Sequence, residues 1–232
     1  MSAISDLESA GKFKEAIALL QQNPTYDANY FFNLGVLFGK DQQPGLAVAY
    51  LEKSSHLKPH DPEILKNLKI AQPLLKQQLY SNKAQVTELD GASNSLEKFA
   101  DRIQQDEIMG VIGLVVLIVS LMWIRAYLKT RNITKTFLKP SGWFGALSVV
   151  LAFAFYGVHR AGSSNPPAVL IMKQPLRSGP GMNYPEVMSI DAGIKVRMVG
   201  SSITLNETEG WQKIRYNADA TAWIPLSSLL PL

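Results

Sequence analysis

Two histidines and a neighbouring aspartate are the residues of this chain whose types and spacing could bind a metal ion. His56 and His60 are four residues apart and Asp61 follows directly, which is a spacing that places paired ligands on one face of a helix. Pro59 stands between the two histidines, however, and predicts a helix end there, because proline lacks the amide donor that a helix needs. The two imidazoles are therefore not expected on one helical face, and we predict no metal site.

Catalytic motifs are equally scarce. The chain contains no cysteine, which excludes disulfides, thiolate nucleophiles and cysteine-based zinc sites. It has no glycine-rich phosphate loop and no nucleophile and base at a recognisable spacing, and the run Ser-Gly-Pro-Gly at 178–181 indicates a turn. We therefore expect that the protein is not an enzyme and uses no cofactor, with an enzyme of unrecognised site as the alternative.

The N-terminal region has helical spacing from Leu7 to about Lys98 and contains one clear repeat unit. When Ala28 is taken as its first position, the small residues, large apolar residues and proline fall at the spacing of a tetratricopeptide repeat. Small residues at this spacing allow two helices to cross closely, and the proline ends the second helix. We predict an all-α tetratricopeptide-repeat domain at 1–98, with its best repeat at 28–61 and weaker half-repeats on either side. The matching positions are Phe31, Leu34, Gly35, Phe38, Ala47, Leu51 and Pro59.

The first helix of this repeat carries a candidate partner-binding groove. Asn29, Phe32, Asn33 and Val36 lie on the helical face that usually lines the concave side of such repeats. These four residues are predicted to contact a peptide or protein. Phe32 and Val36 could equally pack against the half-repeat that precedes them, and the sequence leaves both interpretations open.

Two apolar runs in the middle of the chain are candidate membrane spans. Residues 108–124 and 143–158 are almost entirely apolar, and neither run is amphipathic, which argues against helices that lie on a membrane surface. A buried core helix is the alternative for either run. Tryptophan and tyrosine near the ends of the runs are typical of an interfacial aromatic belt. We predict a two-helix transmembrane hairpin with spans at 108–128 and 141–159.

The charge distribution predicts the topology of this hairpin. Residues 108–160 carry six basic and no acidic side chains, so the loop at 129–140 is expected in the cytoplasm. Both terminal domains would then lie on the opposite side, in the periplasm of a bacterium. Residues 1–20 show no basic region followed by an apolar stretch, so we expect that an upstream signal peptide is missing from this sequence or that both domains face the cytoplasm. Since the basic charge belongs to the membrane region, a nucleic-acid partner is not expected.

The C-terminal region changes to short β-runs after a linker at 160–167. Blocks at 176–180, 193–196, 210–215 and 222–225 resemble bacterial SH3 domains in order and spacing, although Ala222 replaces the usual glycine. We predict an all-β SH3-like barrel at 168–232. Its Trp211 and Trp223 could form a ligand face or could pack the barrel interior. Strands are expected at 169–172, 187–190, 194–199, 211–216 and 222–224. In the third of these, Lys195 and Arg197 alternate with apolar residues, as in a half-buried strand.

The ordered combination of these modules resembles the BatE family of bacterial aerotolerance proteins. Residues 32–35 (Phe-Asn-Leu-Gly), 62–68 and 222–225 (Ala-Trp-Ile-Pro) carry the resemblance. It implies an inner-membrane scaffold or adaptor that works with membrane proteins containing von Willebrand A domains and with a MoxR-type AAA+ ATPase in aerotolerance or stress. The alternative is a cell-wall sensor whose SH3-like domain binds peptidoglycan.

Overall fold

The computed structural model describes residues 2–86, 88–101, 103, 105–131, 140–205 and 209–232. These residues form two compact units. The first combines Met1–Asn94 with Asn165–Leu232, and the second is Ser95–Ser164. Most of the predicted basic loop at 129–140 lies outside the described residues, because its positions 132–139 are not among them.

The first unit begins with five helices whose ends follow from local residue types. The helices are α1 Ser2–Ser9, α2 Phe13–Gln22, α3 Ala28–Lys40, α4 Pro44–Leu57 and α5 Pro62–Ser81. Asp27 caps α3 by accepting a hydrogen bond from the backbone N–H of Tyr30 at 2.7 Å, and Asp61 caps α5 in the same way. Pro44 and Pro62 stand in the first turns of α4 and α5, where a missing amide donor has no cost.

Close packing joins α3 to α4. A Cβ atom at Gly35 would lie 2.6 Å from Cγ of Leu51, so only glycine allows this approach of the two helices. Next to it, the ring of Tyr50 stacks on the rings of Phe31 and Phe38 with centroids 6.3 and 5.3 Å away. Burial raises the pKa of the Tyr50 phenol. The residues that the repeat pattern assigned to the helix seam are buried here, namely Phe31, Leu34, Gly35, Phe38, Ala47 and Leu51.

An antiparallel sheet forms the C-terminal part of the same unit. Its strands are β1 Pro167–Leu170, β2 Gln174–Arg177, β3 Glu186–Ile190, β4 Lys195–Met198, β5 Ile203–Leu205, β6 Glu209–Arg215, β7 Thr221–Pro225 and β8 Leu229–Pro231. The strand order is β3-β2-β7-β6-β4-β1-β8, with β5 paired to β6. The sequence predicted β1, β3, β4, β6 and β7 but not the other three strands, which are short. Pro175 in β2 and Pro231 in β8 also argue against strands.

The helical region packs directly against the sheet, at two adjoining glycines. A Cβ atom at Gly193 would lie 2.7 Å from the carbonyl oxygen of Gly45 and 2.5 Å from Cδ2 of Leu75, while Gly193 has φ +86°. The Lys53 ammonium donates to the carbonyl of Pro231 at 2.6 Å. Burial lowers the pKa of the Lys53 side chain. Sequence patterns treated the two regions as separate domains, whereas the structure joins them in one core.

A connecting segment (residues 88–94) lies across the outer face of β4 and β6. The backbone N–H of Lys195 donates to the carbonyl of Leu89 at 2.8 Å, and Nε of Arg197 donates to the Ser93 hydroxyl at 2.8 Å. Arg215 donates to the carbonyl of Ala92 at 3.0 Å. The expectation of a half-buried β4 is therefore wrong at Arg197, which is 0% exposed, because the connecting segment covers the face that alternation left to solvent.

The second unit is helical. It contains α6 Ser95–Ala100, α7 Gln105–Thr130 and α8 Pro140–Gly162. The helices α7 and α8 contact each other where Gly145 lies under Trp123 and Val119; a Cβ atom there would be 3.0 Å from Cγ1 of Val119. In the described part of the chain, Asp106–Lys129 is the one helical stretch with the length and apolar composition needed to cross a membrane, and Gly145–Ala161 is a shorter apolar stretch.

Candidate functional site

The four groove residues predicted from the sequence lie along one face of α3, but they are not equally accessible. Asn29 is exposed and accepts a hydrogen bond from the Lys58 ammonium at 3.3 Å. Phe32, Asn33 and Val36 are half-buried, and the Phe32 ring packs against the core of the unit. The face therefore presents mainly amides, and Phe32 also has a packing role.

A cleft of about 400 Å³ opens on another side of the helical region, between the end of α3, the start of α4 and the C-terminal half of α5. None of the four predicted groove residues lines it. Its volume is in the range of about 300–1,000 Å³ that is usual for binding sites. The lining residues are Gly39, Gln42, Pro44, Ala47, Ala71, Leu74, Gln77, Gln78 and Ser81.

Small residues keep this cleft open. A Cβ atom at Gly39 would lie 3.7 Å from the Cβ of Ala47, so larger side chains at either position would fill the space. On α5, Leu74 is 50% exposed and Ile70 is 56% exposed. The signal that could have revealed this surface is the position of these two apolar residues outside the buried stripe of α5, which runs through Ile64, Leu68, Ala71, Leu75 and Leu79.

In the sheet, the two predicted tryptophans have different environments. Trp211 is 1% exposed, and its indole Nε1 has no hydrogen-bond partner among the described residues. It pairs in register with Ile203 on one side and Pro225 on the other. Trp211 is therefore buried and not accessible to a ligand, although the register places it on the same sheet face as Lys213 and Trp223. Trp223 is the half-buried member of the pair.

Trp223 stands in a row of outward side chains that crosses four strands. The register places Arg177 opposite Glu186, Trp223 opposite Arg177, and Lys213 opposite Trp223. Directly opposed residues of antiparallel strands share one face of a sheet. The row thus places an indole between a guanidinium and an ammonium group.

Arg177 also organises the loop beside this row. Its Nη1 donates to the carbonyls of Met182 and Tyr184 at 2.9 and 2.7 Å, and Nη2 donates to the Glu186 carboxylate at 2.9 Å. The Tyr184 ring lies over Gly179, where a Cβ atom would be 2.4 Å from the ring. Met182 and Tyr184 remain exposed. Because Trp223, Tyr184 and Met182 lie on or beside one face of the sheet, this face offers aromatic and apolar side chains to an extended ligand.

The histidines of the metal hypothesis lie apart in the secondary structure. His56 is in the last turn of α4, and His60 lies beyond the end of that helix. Within the ranges that the structure describes, no group of three or more histidine, cysteine, aspartate or glutamate side chains is placed to hold a metal ion.

Comparison with known proteins adds one match. No curated protein and no solved structure matches the chain. Residues 175–231 match the family model of the bacterial SH3 domain. These residues run from β2 to β8 and include the Trp223 row with its Arg177-bound loop. The part of the C-terminal antiparallel sheet that runs from β2 to β8 is therefore similar to a bacterial SH3 domain.

Proposed function

We propose that this chain is a membrane-anchored scaffold or adaptor whose helical region binds a partner protein. The observation that carries the proposal is the surface of α7. Along this helix Met109, Val111, Leu114, Leu117 and Leu121 are each more than half exposed. A soluble monomer rarely exposes an apolar surface of this kind to water, whereas a lipid bilayer would cover it.

The first unit is built from two separate stretches of the chain, and this supports a hairpin of two spans. Met1–Asn94 and Asn165–Leu232 pack into one core, so both stretches must occupy one side of a membrane. The chain between them can then cross only an even number of times. If α7 crosses, a second crossing is needed, and α8 has the apolar stretch Gly145–Ala161 for it. The side that the first unit faces is proposed to be the periplasm, with the loop at 129–140 in the cytoplasm.

The helical region supports the adaptor role in the manner of a tetratricopeptide repeat. Gly35 against Leu51 and Gly39 against Ala47 give α3 and α4 the close antiparallel crossing on which such repeats depend. The cleft along α5 is lined by apolar residues and by three glutamines, a composition that suits an amphipathic segment of a protein. From the resemblance to the BatE family, the proposed partners are membrane proteins with von Willebrand A domains in an aerotolerance or stress-related complex, together with a MoxR-type ATPase.

Leu74→Asp should disrupt partner binding. The side chain lines the cleft and is 50% exposed, so the substitution places a charge in the contact without opening the core. We expect partner recovery from mildly solubilised native membranes to fall on the order of tenfold or more, as for a central interface residue. Recovery is measured by quantitative mass spectrometry of proteins that copurify with the tagged chain.

The matched control for this experiment is Leu65→Asp. Leu65 is on the same helix, is 40% exposed, and lies nine residues or two and a half turns from Leu74, on the opposite face. The control should recover partners like the wild type. Equal losses in both variants would contradict binding at the cleft, and recovery of von Willebrand A-domain proteins by neither the wild type nor the control would contradict the proposed partner.

A second candidate function is sensing of the cell wall through the SH3 domain. Bacterial SH3 domains often bind peptidoglycan or proteins, and the half-buried indole of Trp223 beside the exposed Tyr184 and Met182 offers an aromatic surface for a wall peptide. Lys213, which lies opposite Trp223 in the register, offers a charged contact for a carboxylate of that peptide. This candidate and the adaptor use different surfaces of the first unit, so they can be tested separately.

Trp223→Ala should abolish any wall binding by the SH3 domain. Loss of a central aromatic contact is expected to weaken binding by about thirtyfold or more, as measured by sedimentation of the detergent-solubilised chain with purified peptidoglycan. Near-ultraviolet circular dichroism of the buried Trp211 reports whether the sheet is intact. Met172→Ala, at a 43% exposed position outside the row, should bind like the wild type; a Trp223→Ala chain that still sediments would exclude this face.

A further inference from the structure

A polar cavity lies at the C-terminal end of α8, in the second unit. It encloses about 440 Å³ and is lined by Tyr156, His159, Arg160, Ser163 and Ser164. Every lining residue carries a polar group and none of them is acidic. The neighbouring helix α6, whose Phe99 contacts Phe155 of α8, carries a buried carboxylate at Glu97. It is therefore the lining of the cavity that favours an anion.

The lining residues are arranged as a stripe. Tyr156, His159, Arg160 and Ser163 are spaced i, i+3, i+4 and i+7. The first three share one face near the end of α8, and Ser163 is the first residue beyond the helix. Ser163 donates its hydroxyl to the carbonyl of His159 at 3.0 Å. The stripe thus presents phenol, imidazole, guanidinium and hydroxyl groups within one cavity.

The imidazole of His159 is the second observation that indicates a ligand. Its residue is 7% exposed, and its Nδ1 has no hydrogen-bond partner among the described residues. A buried polar atom without a partner is unfavourable, and native structures usually provide one. A positive charge near the C-terminus of a helix is stabilised by the helix dipole, which is enough to explain Arg160. The helix dipole does not explain why the imidazole of His159 is buried.

The position of the cavity along α8 indicates where the anion comes from. Immediately before it, Val150, Leu151 and Phe153 are exposed apolar side chains. Under the membrane anchor proposed above, on which this step rests, the polar stripe lies at the level of the lipid headgroups. We propose that the cavity binds the phosphate group of an anionic phospholipid, with Arg160 as the main charged contact and His159 and the serines completing the site.

The test uses the full chain in detergent micelles and native mass spectrometry with three probes: phosphatidylglycerol, diacylglycerol and inorganic phosphate. We expect phosphatidylglycerol to bind, and diacylglycerol, which lacks the phosphate, not to bind. Arg160→Gln should weaken phosphatidylglycerol binding about tenfold, since hydrogen bonds to charged groups are among the stronger ones. Arg125→Gln is the matched control, because Arg125 is an exposed residue near the end of α7 and does not line the cavity.

The possible outcomes test three claims separately: the phosphate site, the lipid as the source of the phosphate, and the membrane anchor. Equal binding of phosphatidylglycerol by both variants, or binding of diacylglycerol as tight as that of phosphatidylglycerol, overturns the proposal. Inorganic phosphate binding that Arg160→Gln removes, without any lipid binding, supports the phosphate site and overturns the lipid source. Flotation of the wild type with liposomes tests the anchor separately, because the phosphate measurement in micelles does not depend on it.

Discussion

Gly193→Ala is expected to lower the free energy of unfolding of the first unit by about 2–5 kcal/mol. A left-handed backbone costs a residue with a Cβ atom about 1–2 kcal/mol, and Gly193 has φ +86°. The added methyl would also lie 2.5 Å from Leu75 and 2.7 Å from the Gly45 carbonyl, and overpacking of this kind costs about 1–3 kcal/mol more. Since domains are stable by only about 5–15 kcal/mol, this is a large fraction of the total.

Gly200→Ala separates the two contributions. Gly200 has φ +66° but nothing within 4 Å of a Cβ atom, so its substitution should carry the conformational cost alone. Both variants are measured by urea unfolding of the full chain in detergent, followed by tryptophan fluorescence. If Gly193→Ala costs no more than Gly200→Ala, the close approach of the helical region to the sheet does not exist in solution.

Arg197→Ala should destabilise the same unit by about 3 kcal/mol. The buried guanidinium donates to the Ser93 hydroxyl and to the carbonyl of Asn165 at 3.1 Å. Its removal leaves those acceptors without a donor in a water-poor site, at about 1–3 kcal/mol for each one that stays unsatisfied. Detachment of the connecting segment should follow, and hydrogen exchange at the Lys195 amide, which donates to Leu89, should accelerate.

A double-mutant cycle with Ser93→Ala identifies the contact. The two substitutions should be non-additive by at least about 0.5 kcal/mol, because they remove the same hydrogen bond. Lys213→Ala, at a half-buried position of the same sheet face, is the control and should stay within about 0.5 kcal/mol of the wild type. Additivity of Arg197→Ala and Ser93→Ala would contradict the bond.

Residue patterns predicted local features of this fold better than contacts between distant segments. The spacing of Phe31, Leu34 and Gly35 was enough to predict a close helix pair, because helical periodicity and residue size are local properties. Trp223 in its Ala-Trp-Ile-Pro block was enough to indicate an SH3-like strand. Three short strands escaped prediction, since runs of three or four residues carry little periodic signal, and two of them, β2 and β8, also contain a proline.

Long-range packing explains the features that were missed. The alternation of side chains along β4 predicted that Arg197 faces solvent. The residues next to Arg197 in the sequence give no sign that a segment about one hundred residues earlier covers it. The same limit applies to the cleft along α5. Leu74 looks like one more apolar residue of a helix until the packing of Ala71 and Leu75 decides which face is buried. The sequence therefore indicated a groove on α3, while the open cleft is on α5.

The discontinuity of the first unit has a consequence for biosynthesis. The hydrogen bond between Lys195 and Leu89 joins residues on either side of the whole second unit. The ribosome must therefore complete α7 and α8 before the N-terminal helices can meet their sheet. At about 5–20 residues per second, the 70 residues of Ser95–Ser164 impose a delay of roughly 4–14 s, during which the apolar residues that later contact the sheet, Leu75 among them, remain uncovered and open to a chaperone.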